Sequence, residues 1–311
     1  MDICQDFEFF EASPRETDEI FALWRQVFRS WSDETAAVIL DRLNAGFLSG
    51  TVKIPAVRSK SSNKIIAAAR LEVFTFAGKN AHTIKNGIHV GEVAVLPDVQ
   101  GGGLGTYLMT NTVNLLKTRP WNATFAFLGG YTVFYSRFGF KPVAGSPRIE
   151  IKLTPEKGGV RSFSVMERIS RPPEETFRKF DIAGDRDDFL ALQPWIPEQR
   201  IFTKEIFDRE FRLRKDCFEL ECNVYPCSGK VKSYLFCYDN CIYSFSTADR
   251  EGTVLLLHEA LHKIAGKGFK TAVVSCNPDF TEKFLTENLL PFSKICGRGG
   301  LCSQMQLELK G

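Results

Sequence analysis

Apolar and polar residues alternate along the chain in strand-like and helix-like stretches, and one order of elements occurs twice. FEFFEAS (Phe7 to Ser13) alternates weakly, as a first strand does. Pro14 then opens RETDEIFALWRQVF, where Ile20, Phe21, Trp24, Val27 and Phe28 recur at helical spacing. Ser32-Asp33-Glu34 caps a second helix through Leu43. GFLSGTVKIPAV and KIIAAARLEVFTFAG read as antiparallel strands with SKSSN as their turn. VGEVAV (Val90 to Val95) is a further strand, followed by a glycine-rich turn, an amphipathic helix and the strand ATFAFL (Ala123 to Leu128). After Thr154–Glu175, which reads as a linker, the pattern resumes. FRKFDIAG is strand-like, and DRDDFLALQPW and FTKEIFDREFRLR are helical. FELECNVYP, VKSYLFCYDN and CIYSFSTAD are strands, GTVLLLHEALHKIAGKG a helix and KTAVVSCNP a strand. DFTEKFLTEN is helical and SQMQLEL a closing strand.

The turn after VGEVAV carries the strongest chemical signal. Leu96-Pro97-Asp98-Val99 leads into Gln100-Gly101-Gly102-Gly103-Leu104-Gly105-Thr106, which opens directly into a helix. Glycines let successive backbone N–H groups converge without side chains in the way. The helix adds its unpaired first-turn donors and the positive end of its dipole. Such a site suits an anion, above all a phosphate or pyrophosphate. The dinucleotide pattern G-x-G-x-x-G fails because its last position is Thr106, and no G-x-x-x-x-G-K-[ST] is present. What fits is Q/R-x-x-G-x-G/A, filled by Gln100, Gly103 and Gly105. The alternative is a structural glycine turn with no ligand.

That loop resembles the acyl-CoA pyrophosphate loop of the GNAT superfamily of N-acetyltransferases. A second segment resembles the same family: after Gly129-Gly130 comes FYSRFGF, with Phe134-Tyr135 ahead of Gly139-Phe140. Its RFGF form is similar to that of Eis-like acetyltransferases. The resemblance covers roughly residues 5–153 and implies an α/β (α+β) GNAT fold, a central mixed, mostly antiparallel sheet flanked by helices. Because the element order repeats, the expectation is two tandem GNAT-like domains. Residues 1–153 form a catalytic acyl-CoA-binding domain, 154–175 a linker and 176–311 a degenerate GNAT-like domain. Where the second half would need a phosphate loop it reads Ser246-Thr247-Ala248-Asp249-Arg250-Glu251-Gly252, with one glycine and two acids.

The resemblance also implies roles. Gln100 to Thr106 would hold the pyrophosphate of acetyl-CoA, and backbone groups of Ala94 and Val95 would bind the pantetheine or polarise the thioester. Tyr135 would give a proton to the leaving thiolate, unless it merely packs beside Phe134. Glu92 would take the proton of a primary amine, directly or through water, although strand alternation can equally turn it away; His89 is the alternative on the same strand. The acceptor, small molecule or protein lysine, is not encoded in any concentrated charge signature. A non-catalytic acyl-CoA-binding or partner-binding module remains the competing reading.

Composition narrows the class. With 44% hydrophobic and 25% charged residues in 311, the chain reads as a globular protein of two domains. A net charge of +3 gives no electrostatic reason to expect nucleic acid. No apolar run approaches the ~18 residues of a membrane helix. MDICQDFEFFE lacks the basic flank of a signal peptide, and Asp2 stands where myristoylation needs glycine. The expectation is a cytoplasmic protein, with the nucleus also open. Of nine cysteines, eight lie beyond residue 216. Cys222, Cys227, Cys237 and Cys241 lack C-x-x-C pairing and read as core thiols rather than zinc ligands. His258-Glu259-Ala260-Leu261-His262 spells the H-E-x-x-H of zinc metalloproteases. Yet the core stripe of that helix is read as Val254, Leu257, Leu261 and Ala265, and only Glu282 and Glu287 offer a third ligand, so no metal is expected.

Overall fold

Capping side chains set the first helical boundaries in the computed structural model, which describes residues 3–77, 83–118, 121–143, 148–153, 166, 169–193, 201–204, 207–208, 211, 221–246, 249–274, 293–296 and 303–309. The Ser13 hydroxyl accepts from the Arg15 N–H, and Glu16 reaches back to the Ser13 N–H at 2.8 Å. The first unit comprises residues 1–144 together with 300–311. It runs α1 (Ile3–Asp6), β1 (Phe7–Ala12), α2 (Thr17–Val27), α3 (Asp33–Ser49), β2 (Val52–Ser59), β3 (Ile65–Ala77) and β4 (Ile84–Val95). Then come α4 (Leu104–Thr118), β5 (Phe125–Gly130), α5 (Thr132–Tyr135) and β6 (Lys141–Pro142). The second helix does not stop at Leu43: it continues to Ser49, and Gly50 ends it in the left-handed region at φ 68°. Gly46 belongs to that helix, not to a strand, and its bare Cα lets the helix press on Val52.

The second unit, residues 145–299, runs β7 (Arg148–Lys152), β8 (Arg178–Lys179), α6 (Ile182–Leu192), β9 (Glu221–Tyr225), β10 (Ser233–Tyr238) and β11 (Cys241–Phe245). It continues with α7 (Arg250–Gly266), β12 (Thr271–Val274) and β13 (Ser293–Cys296). Asp181 caps α6, accepting from the N–H groups of Ala183 and Gly184, so DIAG opens a helix instead of extending a strand. DFTEKFLTEN with Glu282 and Glu287, Thr247, Ala248, and most of 154–175 lie outside the described residues.

Among the described residues, each unit has one sheet of seven strands. The first is ordered β1-β2-β3-β4-β5-β14-β6, where β14 is Ser303–Glu308, and the second β8-β9-β10-β11-β12-β7-β13. The orders match position by position. Neighbours are antiparallel except β4 with β5 and β11 with β12. The sequence reading cuts the chain at 153 and 176, but a strand from each side of that cut pairs in the other sheet. β7 lies between β12 and β13, and Ile151 joins the second core. β14 lies between β5 and β6, and Met305 and Leu307 join the first. Both strands alternate apolar and polar residues, so burial of one face decides their place.

In the first unit the two faces of the sheet are covered differently. Leu71, Ile88, Val90, Ala126 and Leu128 pack with Met109 and Val113 of α4. Ile54, Ala56, Ala68 and Ala94 pack with Ile20, Trp24, Ile39 and Leu43 of α2 and α3. Among the described residues no helix is long and apolar enough to cross a membrane.

Candidate functional site

β4 and β5 run parallel, and their ladder covers only Gly87–Phe125, Ile88–Ala126 and His89–Phe127. Beyond it β4 continues to Val95 and β5 to Gly130, so the strands form a fork that opens toward their carboxyl ends. β14 pairs with β5 along all six residues, which holds β5 in place while its other edge leaves β4. The open ends of parallel strands are where α/β folds receive ligands.

The glycine loop lies at this opening. Gly101 and Gly103 adopt φ 82° and 85°, a region closed to most side chains, so the sequence there is fixed by backbone geometry. Gln100 donates its side-chain amide to the Val95 carbonyl at 2.8 Å and so ties the loop to the end of β4. α4 begins at Leu104, and its first turn carries no acidic residue. The N–H groups of Leu104, Gly105 and Thr106 belong to the turn that a helix leaves without intrahelical acceptors. A Cβ on Gly102 would meet only the Val99 carbonyl oxygen, at 3.9 Å, an ordinary contact. Ala94 and Val95 pair with Ala68 and Ala67 of β3, with the Ala94 side chain buried toward α2 and α3.

A bulge governs Glu92. On β3 two steps separate Ala68 from Arg70, whereas three separate their partners Ala94 and Gly91 on β4. The extra residue lets Glu92 adopt φ 43°, uncommon for a side chain of its kind. Simple alternation would bury Glu92 beside Val90 against α4. The bulge turns it instead onto Arg70, whose Nε and Nη2 bind both carboxylate oxygens, the second at 3.2 Å. Arg70 also binds Glu72, which is fully buried. Burial opposes the charge on Arg70, but Glu92 and Glu72 outweigh it and push its pKa above the ordinary guanidinium value. The His89 ring lies beside this group: a Cβ added to Gly91 would be 2.8 Å from its Cε1 and 3.3 Å from Nη2 of Arg70.

The second motif meets the first. A Cβ on Gly105 would lie 3.6 Å from Cζ of Phe134, so FYSRFGF packs against the start of α4. The half-buried Tyr135 ring lies on the end of β5, where a Cβ on Gly130 would be 2.3 Å away, and only glycine permits that approach. Edge contacts with Phe134 and Phe140 fix the ring further. Gly139, at φ 90°, ends the turn in the left-handed conformation its place in the sequence suggests.

The matching place in the second unit is built differently. At the start of α7 the hydroxyls of Ser233 and Thr253 donate to the Asp249 carbonyl at 2.9 and 2.6 Å. The Tyr225 ring covers Gly252, where a Cβ would lie 2.3 Å from it. Asp249 and Glu251 flank Arg250 there, and the segment has one glycine where the first unit's loop has four. Farther along α7, Glu259 is buried rather than free to serve a metal-bound water. It accepts from Nε and Nη2 of Arg171 at 3.1 and 3.3 Å, while Nε2 of His262 lies 3.3 Å from the Ile169 carbonyl. Burial, and then the neighbouring His262, lower the pKa of His258. The buried stripe includes Leu256, Leu257, Ala260, Leu261 and Ile264, turned from the expected one because Val254 and Ala265 lie at its margin. Cys237 is a core thiol as expected, Cys222 and Cys241 are half-buried, and Cys227 is exposed.

No family model matches the sequence, and no curated protein matches it. Solved structures do resemble it. A probable N-acyltransferase from Enterococcus faecalis is 13% identical with a TM-score of 0.68, covering 97% of this chain and 72% of that one. A GCN5-related N-acetyltransferase from Kribbella flavida is 14% identical with a TM-score of 0.65, covering 97% and 70%. Eis1 from Mycobacterium abscessus is 13% identical with a TM-score of 0.59, covering 96% and 72%. The chain therefore has the GNAT fold, and its likeness to these acyltransferases extends over nearly its whole length.

Proposed function

We propose that the protein is an acyl-CoA-dependent N-acyltransferase that moves an acetyl group from acetyl-CoA to a primary amine by direct transfer. The observation that carries this reading is the β4–β5 fork opening onto an acid-free helix N-terminus and a glycine loop. In it Gln100, Gly101, Gly102, Gly103, Leu104, Gly105 and Thr106 bind the pyrophosphate. Gln100 acts by fixing the loop to Val95. The pantetheine follows the edge of β4 past Val95 and Ala94 toward the fork.

The chemistry needs three things. At pH 7 an amine with a pKa near 10.4 is free in only about one molecule in a few thousand, so a proton must leave. The free nitrogen attacks the thioester carbon and negative charge gathers on the oxygen, which backbone N–H groups of β4 stabilise. The C–S bond then breaks as the carbonyl re-forms, giving an amide and the CoA thiolate. Tyr135 gives its phenolic proton to that thiolate. Glu92 takes the proton of the amine, directly or through water. Its pairing with Arg70 holds it in one orientation.

Incubating cell extract with purified protein and isotopically labelled acetyl-CoA, then searching by mass spectrometry for labelled amides, tests the proposal. A labelled product that requires the protein supports it. Tight acetyl-CoA binding with no labelled product instead identifies a non-catalytic acyl-CoA-binding module. No binding at all removes the CoA reading.

A further inference from the structure

A cleft opens in the first unit where the chain enters α2 and leaves α3. Pro14, Arg15 and Asp18 on one side and Asn44, Phe47 and Leu48 on the other line a cavity of about 400 Å³. Its first wall follows directly on β1, which lies three strands from β4, about 14 Å at ~4.8 Å per strand. The cleft is therefore separate from the proposed acyl-CoA site. Its volume is at the lower end of small-molecule sites, roughly 300–1,000 Å³, and suits a ligand far smaller than CoA.

Neighbouring ionic side chains are already used by the fold. Glu16 is tied to the Ser13 N–H and to Arg58, and Glu19 accepts from the Ile65 N–H at 2.7 Å. Arg15 and Asp18 differ: both are exposed, and among the described residues neither side chain has a hydrogen bond or ion pair. They stand three residues apart, a spacing at which opposite charges on a helix commonly meet, yet they do not pair with each other. The exposed Asn44 carboxamide, which can both donate and accept, is likewise without a partner among the described residues. Pro14 and the half-buried Phe47 give the cleft an apolar part, and Leu48, 91% exposed, offers its whole side chain to a ligand.

We propose that this cleft binds a free α-amino acid with an apolar side chain. The Arg15 guanidinium takes the carboxylate, for which its fork of donors is suited, and the Asp18 carboxylate takes the ammonium. Pro14, Phe47 and Leu48 pack on the side chain. An amino acid carries both charges on one carbon, which matches two opposite groups close in sequence and unpaired. A fatty acid or a simple amine would leave one of them unmatched. The proposal goes beyond the acyl-CoA reading and does not depend on it, since neither Arg15 nor Asp18 has a part in the proposed transfer.

Calorimetry on the full-length protein tests this with L-leucine and L-phenylalanine as probes, each beside its deaminated acid, its decarboxylated amine and its N-acetyl amide. At least one of the two amino acids should bind with a dissociation constant of about 1 mM or below, and its three analogues at least about tenfold more weakly. Arg15→Gln and Asp18→Asn change exposed side chains, so the melting temperature should hold in both. Each should weaken the amino acid by about tenfold and leave CoA affinity unchanged. Saturable binding of neither amino acid, or an analogue bound as tightly as its parent, overturns the proposed ligand. Amino-acid binding that both substitutions leave unmoved lies elsewhere, at the amine site of the fork for example, and overturns the cleft as its place. Failure to bind CoA would remove the acyl-CoA reading without touching any of these outcomes.

Discussion

Gly102, Tyr135 and Glu92 each isolate one part of the proposed chemistry. Gly101 and Gly103 have left-handed φ values, so a side chain there strains the backbone as well as the ligand. Gly102 lacks that constraint and has room for a Cβ, 3.9 Å from the Val99 carbonyl oxygen, which makes it the better probe. Gly102→Asp places a carboxylate in the proposed pyrophosphate site; CoA affinity should fall at least about tenfold by calorimetry while the melting temperature holds. An unchanged affinity in the folded variant removes the loop from the site. Tyr135→Phe keeps the ring on Gly130 and removes only the hydroxyl. Turnover of the acceptor found by mass spectrometry should drop by roughly 10²–10⁴-fold with CoA binding intact. Wild-type turnover would reduce Tyr135 to packing. Glu92→Gln should slow the reaction most at acidic pH and less as pH rises and more amine is already free. A rate profile parallel to wild type would pass the role of base to His89. The glycine loop and the aromatic turn were legible in the sequence, because glycine and Gly-Phe patterns encode local backbone geometry. Arg70 and Glu72 were not singled out, although RLE inside the apolar run IIAAARLEVF was the available sign. Their meaning depends on a partner 22 residues away from Arg70 and on a bulge that apolar periodicity does not encode.

Elements give two further expectations. β14 is the partner that β5 keeps along its whole length while leaving β4. Met305 is fully buried within the first core, so Met305→Asp puts a charge without a partner among apolar side chains. Unfolding should be easier by several kcal/mol, with CoA binding lost at temperatures where the unsubstituted protein retains it. Retained CoA binding and stability would show that the fork does not need this strand. In the second unit Asp185 is buried and accepts from Arg178 at 2.5 and 2.6 Å and from the Asp181 N–H at 2.8 Å. Burial raises its pKa, but the hydrogen bonds from Arg178 and Asp181 outweigh that and leave it lowered. A carboxyl with a lower pKa folded than unfolded stabilises the fold above the unfolded value, near 3.9, and loses that contribution as pH falls through the folded one. Asp185→Asn should therefore cost about 1.5–3 kcal/mol in urea unfolding at pH 7, and the gap from the parent should narrow below about pH 4. A gap that stays constant with pH would mean that the charge of Asp185 contributes nothing.

At the scale of the whole molecule, the first unit's loop has four glycines and its counterpart, Ser246 to Gly252, has one, with the Tyr225 ring over it. Calorimetry should accordingly find one CoA per chain, and two equivalent sites would contradict this. The sequence by itself determined what neighbouring residues can settle. Left-handed glycines, helix caps and apolar periods act within a few residues, so the loop, the start of α4, the Phe134–Phe140 turn and the repeated order of elements could all be read along the chain. Only the tertiary structure decided which strands meet. RIEIK and SQMQLE each offer one apolar face, and nothing local tells either which sheet to join; burial of Ile151 in one core and Met305 and Leu307 in the other does. Strand register works in the same way. It brings His89 beside Phe127 at the closed end of the fork and turns Glu92 onto Arg70, because pairing is set by packing between segments distant in sequence rather than by the residues on either side of each position.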